Sequence, residues 1–447
     1  MSTKILAQVV RDAVRNQQYQ NAFTALNELQ PVDVADILSQ LTPAQAWALL
    51  KMLPEAAEVF AYFAAEQQVR MAEQAPRGGL APLVGAMAAD ERADLFKRLD
   101  ETQQALLLPA LAQAEREDMR KLASYEEGTA GALMTSDYAT LKPTMTVQEA
   151  LVALRQEAPD AETIYHAFVT DDHRRLVGAV SLRELILAKP HLKVEELMVH
   201  SVIHAHAQTE QKEVARLIAR YDLLALPILN DADQLVGIVT YDDAMDVASE
   251  EATSDMHKGV AVTSVIGNMK EASIATLYKN RVFWLVLLVF GNIFSGLGIA
   301  HFEEIIAANI VLVFFLPLLV DSGGNAGSQS ATLMVRALAT GEVYLKDWFK
   351  LLGRESLVAL ALGGTMAVAV SVIGLYRGGT EVALVVSLSM VAIVMIGCLI
   401  GMSLPFLLSR FGLDPASASA PLITSICDAS GVVIYLFIAT QFLELAI

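Results

Sequence analysis

The carboxyl-terminal third of the 447-residue chain consists of apolar runs that are long enough to cross a lipid bilayer. A spanning helix needs about 20 mainly apolar residues. Five stretches come near this length, and the second resumes through Ala331–Ala339 after a polar gap. They are Val282–Ala300, Ile305–Val320, Leu357–Tyr376, Val382–Ser409 and Pro421–Leu445. The sequence therefore predicts an all-α membrane domain with five transmembrane helices over residues 281–447.

The cationic residues around these runs indicate their orientation. Lysine and arginine accumulate in the cytoplasmic connections of membrane proteins. Here they precede the first span, fill the connection between the second and third, and follow the fourth: Lys279, Arg281, Arg336, Lys346, Lys350, Arg354 and Arg410. The amino terminus has no signal-peptide apolar region, because Gln8 and Arg11 interrupt it. The pattern predicts a cytosolic amino terminus and a carboxyl terminus outside.

Two carboxylates lie inside the apolar runs. Asp321 follows FFLPLLV, and Asp428 lies in APLITSICDASGVVIYLF. An acid at the centre of a spanning helix costs roughly 2.5–3.5 kcal/mol on insertion scales, so such residues usually face a partner, a cavity or an ion path. Both stretches are rich in Gly, Ser, Asn and Thr, and oxygen atoms are the ligands of hard divalent cations. The membrane domain is therefore predicted to hold a cation site.

The polar stretch Asp321–Gln329 is predicted to interrupt the second span. So many polar and glycine residues cannot face lipid, and irregular backbone at membrane depth is tolerated only inside protein or beside water. The alternative is a cytosolic loop that joins two short apolar segments. Asp321 would line the pore or cap a broken helix, and both roles stay open.

The charge of the chain is concentrated outside the membrane domain. The net charge is −18, and residues 281–447 account for only −3 of it, so residues 1–280 carry −15. This balance argues against nucleic acid and against anionic lipid as partners of the soluble part. It favours cations or basic proteins, although solubility alone would also account for it. Both cysteines, Cys398 and Cys427, lie in apolar runs, which excludes a cysteine-based zinc site from the soluble part.

Residues 1–130 are predicted to form short amphipathic helices in a small superhelix, because apolar residues recur at helical spacing between prolines. Asp90 and Asp94 are four residues apart, which puts them on one helix face beside Glu91. Like charges there repel unless a cation lies between them. A solvated face and a cation site both remain open.

Residues 131–252 contain an internal duplication. Leu176–Ser181 is echoed 59 residues later by Leu235–Thr240, and each copy follows a strand and a polar turn. Two strands joined by a tight turn and flanked by helices form a compact α/β unit. The region resembles a tandem pair of CBS domains, a regulatory module that often binds adenosine nucleotides. Thr240 and Asp243 match the ribose-contacting pattern of that family, whereas the first copy has Ser181 and Glu184 instead.

Other polar groups suggest further metal sites. His204 and His206 alternate on a predicted strand, so a zinc pair and plain surface exposure are the two interpretations. Acids then accumulate just before the membrane domain: Asp242, Asp243, Asp246, Glu250, Glu251 and Asp255. Residues 253–280 are predicted to form an amphipathic connecting helix that transmits changes in the soluble part to the first span.

Several motifs occur in one order along the chain. They are Tyr125-Glu-Glu-Gly-Thr-Ala-Gly, the duplicated unit, Gly324-Asn325-x-Gly327-x-Gln329, and Pro421-x-x-Thr424-x-x-x-Asp428. Taken together, the chain resembles the MgtE family of magnesium channels over nearly its whole length. The resemblance implies a homodimer in the bacterial inner (plasma) membrane, with cytosolic domains that sense Mg²⁺ and a central pore.

The resemblance also implies roles for particular residues. The family's pore aspartate falls on Asp428, and Thr424, Ala420 and Asn325 would help to hold the hydrated ion. The sensing acids would be Asp90, Glu91, Asp94, Asp246, Glu250, Glu251 and Asp255. High cytosolic Mg²⁺ would cancel the repulsion between acidic domains and close the pore. Mg²⁺ is then the implied ion, with ATP a candidate ligand of the CBS pair.

Three other functions compete with this one. The first is an ion-coupled carrier or exporter of Mg²⁺, Mn²⁺ or Co²⁺, although all-oxygen ligands favour a hard ion. The second is a membrane-embedded hydrolase, which would need an H-E-x-x-H helix. His301 is the only histidine after position 257, so we do not expect an enzyme. The third is a nucleotide-sensing CBS scaffold without transport, which would leave Asp321 and Asp428 without a role.

Overall fold

The structure, a computed structural model, describes residues 3–75, 79–159, 161–262 and 273–443. The chain divides into two compact units, Met1–Ser249 and Glu250–Ile447. Each unit has hydrophobic clusters of its own. The first unit combines a helical region with two small sheets, and the second contains the apolar helices.

Short helices make up the start of the first unit, as the amphipathic pattern predicted. Pro31 and Pro43 each occupy the first position of a helix, where a missing N–H costs nothing. The apolar faces meet in one core around Ile37, Leu50 and Phe60. The helices are α1 (Thr3–Arg15), α2 (Tyr19–Leu26), α3 (Pro31–Leu38), α4 (Pro43–Leu50), α5 (Ala56–Ala61), α6 (Ala65–Gln74), α7 (Leu80–Gly85), α8 (Ala89–Arg98), α9 (Glu101–Leu107), α10 (Gln113–Ala123) and α11 (Ala130–Leu133).

The duplicated region forms two three-stranded sheets of the same topology. In each, the first strand pairs in parallel with the second, and the second pairs antiparallel with the third. The strands are β1 (Tyr138–Leu141), β2 (Thr163–Thr170), β3 (Leu176–Ser181), β4 (Ala205–His206), β5 (Ala225–Leu229) and β6 (Leu235–Thr240). The helices are α12 (Val147–Glu157), α13 (Leu182–Leu187), α14 (Gln211–Tyr221) and α15 (Tyr241–Gly259). The tandem α/β prediction is confirmed.

The two hairpin turns show why the copies fold alike. Asp171 Oδ1 accepts hydrogen bonds from two backbone N–H groups two and four residues ahead, and Asn230 Oδ1 does the same in the second copy. Such side-chain caps preset a tight turn. The turns also pair with each other, since the backbone N–H of Leu235 donates to the carbonyl of Arg174 at 2.9 Å.

The second unit is a bundle of four long apolar helices and the short helix α17 (Glu303–Ala308). The long helices are α16 (Ile274–His301), α18 (Val311–Ala339), α19 (Trp348–Arg410) and α20 (Ala420–Phe442). Within the described residues, four helices are long and apolar enough to cross a membrane. One of these, α19, is interrupted at Gly379, whose φ of 76° and ψ of −168° are not helical. It is therefore two helical segments, so the described residues contain five candidate spans.

The two halves of α19 fold back on each other. A Cβ built on Gly374 would lie 2.7 Å from Cα of Ala383, and one on Gly363 would lie 3.0 Å from Cα of Val391. Small residues allow this backbone approach between membrane helices. The chain reversal at Gly379 therefore separates the predicted third and fourth spans.

The prediction that Asp321–Gln329 breaks the second span is wrong. Helix α18 runs without interruption from Val311 to Ala339. Its glycines serve close packing instead, because a Cβ on Gly327 would lie 2.7 Å from the carbonyl oxygen of Gly397, in the second half of α19. Of the predicted connecting helix, residues 253–280, the first seven residues belong to α15 and the last seven to α16. Residues 263–272 of that prediction lie outside the described residues.

Candidate metal centres

One face of α20 carries the predicted pore residues. Ala420, Thr424 and Asp428 are spaced by four, so their side chains are stacked on the same side of the helix. The Thr424 hydroxyl donates to the carbonyl oxygen of Ala420 at 2.8 Å. Oδ1 of Asp428 is buried and has no hydrogen-bond partner among the described residues. A buried carboxylate oxygen without a donor is the kind of atom that a cation or its water would satisfy.

Helix α18 packs closely over this face. A Cβ on Gly324 would lie 2.9 Å from Cγ2 of Thr424 and 3.5 Å from Oδ1 of Asp428. The Ser328 hydroxyl lies 3.4 Å from the Thr424 hydroxyl and 3.5 Å from the carbonyl oxygen of Ala420. The glycine thus lets the two helices approach until their hydroxyl oxygens gather beside the acid.

A cavity of about 440 Å³ opens beside these oxygens. Its lining is Val260, Leu288, Asn292, Ala420, Pro421, Thr424, Ser425 and Asp428. Asn292 belongs to α16, the first membrane helix, and Val260 directly follows α15. A hydrated cation fits such a mixed lining, because Mg²⁺ usually keeps several waters and needs few direct carboxylates.

Asn325 lies on another face of α18. Its side-chain N–H donates to Asp321 Oδ2 at 2.9 Å, and both residues are exposed in the single chain. Gln329, one turn further, is exposed as well. Asp321, Asn325 and Gln329 therefore form a polar stripe along a membrane helix. Gly324, which packs against Thr424 and Asp428, directly precedes Asn325, so the stripe and the cavity are neighbours.

Sequence reasoning missed Asn292, Ser328 and Ser425. The sequence did contain a signal for Asn292, because an amide within an otherwise apolar span indicates a polar neighbour. Ser328 was read as part of a broken helix. Only the packing of α18 against α20 shows that its hydroxyl is turned toward Thr424.

The first unit holds an acidic cluster where α8 meets α15. Ala89 and Ala93 of α8 share a hydrophobic core with Ala244 and Val247 of α15. The acids between them are Asp90, Glu91, Glu162, Asp243 and Asp246, each of which acts electrostatically on at least one of the others. Packing the two helices therefore forces like charges together.

Burial and repulsion perturb this cluster strongly. Burial raises the pKa of Asp90 well above its usual value, and the charges of Asp243 and Glu91 add to the rise. The pKa of Glu91 is raised to about 7 by burial and then by Asp94 and Asp243. Oδ1 of Asp90 has no hydrogen-bond partner among the described residues. No cation offsets the rise at Asp90, and Arg98 offsets it only in part at Glu91, so a divalent cation would supply the missing positive charge.

Asp243, in the first turn of α15, is hydrogen-bonded to Thr240, the residue just before that helix. It accepts a hydrogen bond from the Thr240 hydroxyl at 2.5 Å, and burial raises its pKa to about 6 against that bond. Thr240 is only 5% exposed. The residues predicted to contact a ribose are thus engaged with each other, and Asp243 also faces the acidic cluster. A nucleotide at this position would add negative charge there unless a cation came with it.

Asp94 differs from the other predicted sensing acids. Its carboxylate pairs with Arg98 at 3.3 Å on the same helix, and this pair is about 44% exposed. Burial nevertheless raises its pKa. The structure thus places Asp94 at the edge of the cluster, with a cation already beside it.

The remaining sensing acids lie further along α15, in the second unit. Glu250 is exposed, and the charges of Glu251 and Asp255 act on Lys258 one to two turns ahead. Lys258 Nζ donates to Asp414 Oδ2 at 2.5 Å, an ion pair that raises the pKa of the lysine. Asp414, which precedes α20, was not among the predicted sensing acids. The predicted set therefore splits into two groups.

Direct metal ligation is not apparent in either group. Among the described residues, no three His, Cys, Asp or Glu side chains are close enough together to hold one metal ion. This includes His204 and His206, whose ring centres lie 6.0 Å apart without a third ligand. The acids of the first unit would thus contact a divalent ion chiefly through its water shell.

Family profiles match the chain in three regions. Residues 316–438 match the MgtE family, described as divalent cation transporters, and residues 29–128 match the MgtE intracellular N domain. Residues 130–191 and 194–250 each match the CBS domain. The matches follow the order of the helical region, the duplicated sheets and the membrane helices.

Individual relatives extend these matches over nearly the whole chain. The magnesium transporter MgtE of Thermus thermophilus is 38% identical over 98% of this chain and 99% of its own length. That of Bacillus subtilis is 32% identical over 96% of both. Among solved structures, the cytosolic domain of the Mg²⁺ channel MgtE in complex with ATP is 36% identical, with a TM-score of 0.52 over 54% of this chain and 99% of that structure.

Proposed function

Because the chain belongs to the MgtE family of divalent cation transporters, we propose that it carries Mg²⁺ through the membrane along a pore lined by Asp428. The observation that carries this proposal is the unpaired, buried Asp428 oxygen beside the hydroxyl of Thr424 and a cavity of about 440 Å³. The carboxylate attracts the cation, while the Thr424 hydroxyl and the Ala420 carbonyl hold its water shell.

The pore is shared by two copies of the chain. One side chain brings a single negative charge to a divalent ion, and a symmetry mate brings the second. The polar stripe of Asp321, Asn325 and Gln329 supports this arrangement, because exposed polar groups of a membrane helix need a partner or water rather than lipid. A two-fold axis beside α18 and α20 would bring both stripes and both Asp428 carboxylates to one aqueous path.

The chain lies in the bacterial inner membrane with its soluble unit in the cytosol. The cationic connections favour the cytosolic side for Lys279 and Arg281. Five crossings then put the carboxyl terminus on the outer side. Ion flow is then inward, driven by the membrane potential, which is worth about 2.3 kcal/mol per charge per 100 mV.

Cytosolic Mg²⁺ closes the pore by binding the acidic groups. The perturbed Asp90, Glu91 and Asp243 support this, because they repel one another until a cation neutralises them. The acids of α15 beyond Ser249, with Asp414, form the second point of control. An ion that binds the closed arrangement more tightly shifts the population toward it.

ATP binding by the CBS pair is a separate proposal. It rests on the relative whose cytosolic domain was solved with ATP. In this chain the nucleotide would have to reach Thr240 and Asp243 past their mutual hydrogen bond. We expect ATP to bind there only as its Mg²⁺ complex, because Asp90 and Glu91 already bring negative charge to Asp243.

The test is uptake in a magnesium-starved host that lacks its own transporters. Asp428→Asn should abolish growth rescue, and Glu381→Gln, a change of the same kind outside the cavity, should preserve it. Equal rescue by both variants would refute the pore. Flux that saturates at low turnover, or that depends on Na⁺ or H⁺, would favour the coupled carrier over the channel.

A further inference from the structure

A second cavity lies in the membrane unit and shares no lining residue with the one beside Asp428. Its volume is about 670 Å³, within the range of roughly 300–1,000 Å³ that is typical of built ligand sites. The turn Leu345–Asp347 and the start of α19 form one wall, and the last turns of α19 form another. The lining is mainly apolar and includes Trp348, Phe349, Leu404, Phe406, Leu407 and Ile426.

Two cations line this cavity, Lys346 and Arg410. Neither has a carboxylate partner among the described residues. The acid next in sequence to Lys346 is Asp347, which accepts a hydrogen bond from the backbone N–H of Tyr344. The Lys346 ammonium lies 5.3 Å from the centre of the Tyr344 ring instead. The cavity therefore combines two uncompensated positive charges with an apolar interior.

The surroundings of the cavity are exposed and apolar. Phe349 is 78% exposed and Leu407 is 50% exposed, so apolar surface continues outward from the lining. Trp348, Tyr344 and Lys346 are the residue types that mark the boundary between headgroups and acyl chains. A ligand of this cavity needs a negatively charged head at that boundary and a hydrocarbon body beneath it.

We propose that the cavity binds one anionic phospholipid, with its phosphate group between Lys346 and Arg410 and its acyl chains against Phe349 and Leu407. A free phosphate would leave the apolar lining uncovered, and a zwitterionic lipid would leave the two cations uncompensated. Basic pockets between membrane helices on the cytoplasmic side are suited to such headgroups. The site does not depend on which ion the pore conducts.

Trp348 provides a direct probe of the cavity. The chain has three tryptophans, Trp47, Trp284 and Trp348. In a Trp47→Phe/Trp284→Phe variant, Trp348 is the remaining source of tryptophan fluorescence. With this variant in phosphatidylcholine vesicles, quenching of that fluorescence is measured with brominated phosphatidylglycerol and, separately, with brominated phosphatidylcholine. We expect brominated phosphatidylglycerol to reach half-maximal quenching at a lower mole fraction than brominated phosphatidylcholine. The difference should be about five-fold if one cation contacts the headgroup and about 30-fold if two do.

Matched variants separate the site from general charge attraction. Lys346→Gln/Arg410→Gln should remove the anionic preference while quenching by phosphatidylcholine persists, which also reports that the bundle is intact. Lys279→Gln/Arg281→Gln removes two cations elsewhere and should keep the preference. Equal quenching by both lipids in the parent, or a preference that survives the first pair of changes, would overturn the proposal. Absence of quenching by either lipid would mean that a second copy covers Trp348, which also overturns it.

Discussion

Glu91 and Asp243 couple proton binding to metal binding at the scale of single residues. Their pKa values are raised from 4.5 to about 7 and from 3.8 to about 6. The folded state therefore binds more protons than the unfolded chain between about pH 4 and 7. In Mg²⁺-free buffer these two acids lower the free energy of unfolding as the pH rises through that window, on the order of 3 kcal/mol each.

Protons should accordingly compete with Mg²⁺ for the acidic cluster. Between pH 8 and pH 6, we expect the Mg²⁺ concentration that protects the full chain from protease to rise roughly ten-fold, because Glu91, whose pKa is about 7, becomes largely neutral. Glu91→Gln should reduce this pH dependence, and Glu66→Gln, at an exposed position of α6, should leave it unchanged. The same pH dependence in the Glu91 variant and the parent would contradict the assignment.

At the scale of elements, glycine spacing sets how closely α18 meets α19. A Cβ on Gly401 would lie 2.0 Å from the carbonyl oxygen of Gly327, whereas one on Gly364, in the other half of α19, would meet nothing within 4 Å. Backbone atoms cannot move aside as a side chain can. A glycine-to-alanine change can thus be compared at two positions of α19, one without space for the added methyl group and one with open space.

Gly401→Ala should therefore destabilise the detergent-solubilised protein, by at least about 1–3 kcal/mol as overpacking usually does. Gly364→Ala should leave the melting temperature unchanged or raise it slightly, because alanine favours the helix. Differential scanning fluorimetry of the two variants checks this. Equal melting temperatures would mean that α18 and α19 are further apart than the structure places them.

A second element-scale contact joins the end of α15 to the segment before α20. Lys258 and Asp414 are each somewhat over one-third exposed, so their ion pair contributes about 0.2–1 kcal/mol. The lysine holds α15 near the pore helix without any Mg²⁺.

Lys258→Gln should therefore raise Mg²⁺ uptake at low cytosolic Mg²⁺, by up to about five-fold. Lys258→Arg retains the charge and should behave like the parent. Radiotracer uptake into proteoliposomes with a set internal Mg²⁺ concentration measures the effect. Lower uptake in the glutamine variant would show that the pair favours the open pore.

The elements that local sequence predicted well are those whose signal is local. Apolar runs marked the membrane helices, and the repeated Leu-Val-Gly pattern marked both hairpins. Helix α18 was misjudged because the reason for its glycines lies in α19, about 70 residues away. The sequence offered Asn292 as a polar residue in an apolar span, but its place beside the Asp428 cavity and the pairing of Asp414 with Lys258 became known only once distant segments were packed together. The same packing divided the predicted sensing acids into two groups.

At the scale of the whole molecule, the proposed pore requires two chains, and this can be tested without seeing the dimer. If each chain supplies one Asp428, a mixed pair holds one carboxylate and one amide. With equal expression and random pairing, about a quarter of the dimers carry two native chains. Independent monomers would instead leave half of the conducting units intact.

Co-expression of the native chain with Asp428→Asn at equal levels should thus reduce Mg²⁺ uptake to about a quarter of the native value if one carboxylate does not suffice. The control replaces the second chain by Asp428→Asn/Gly401→Ala, whose added methyl group disrupts packing and should weaken its pairing with native chains. Because Gly401 packs against Gly327 of the same chain, this change leaves less folded variant to pair with native chains, and uptake should return toward half or above. Uptake near half of the native value with the single variant would indicate that each chain conducts alone. That arrangement is less favourable for a divalent ion, because the cavity of one chain offers only one carboxylate.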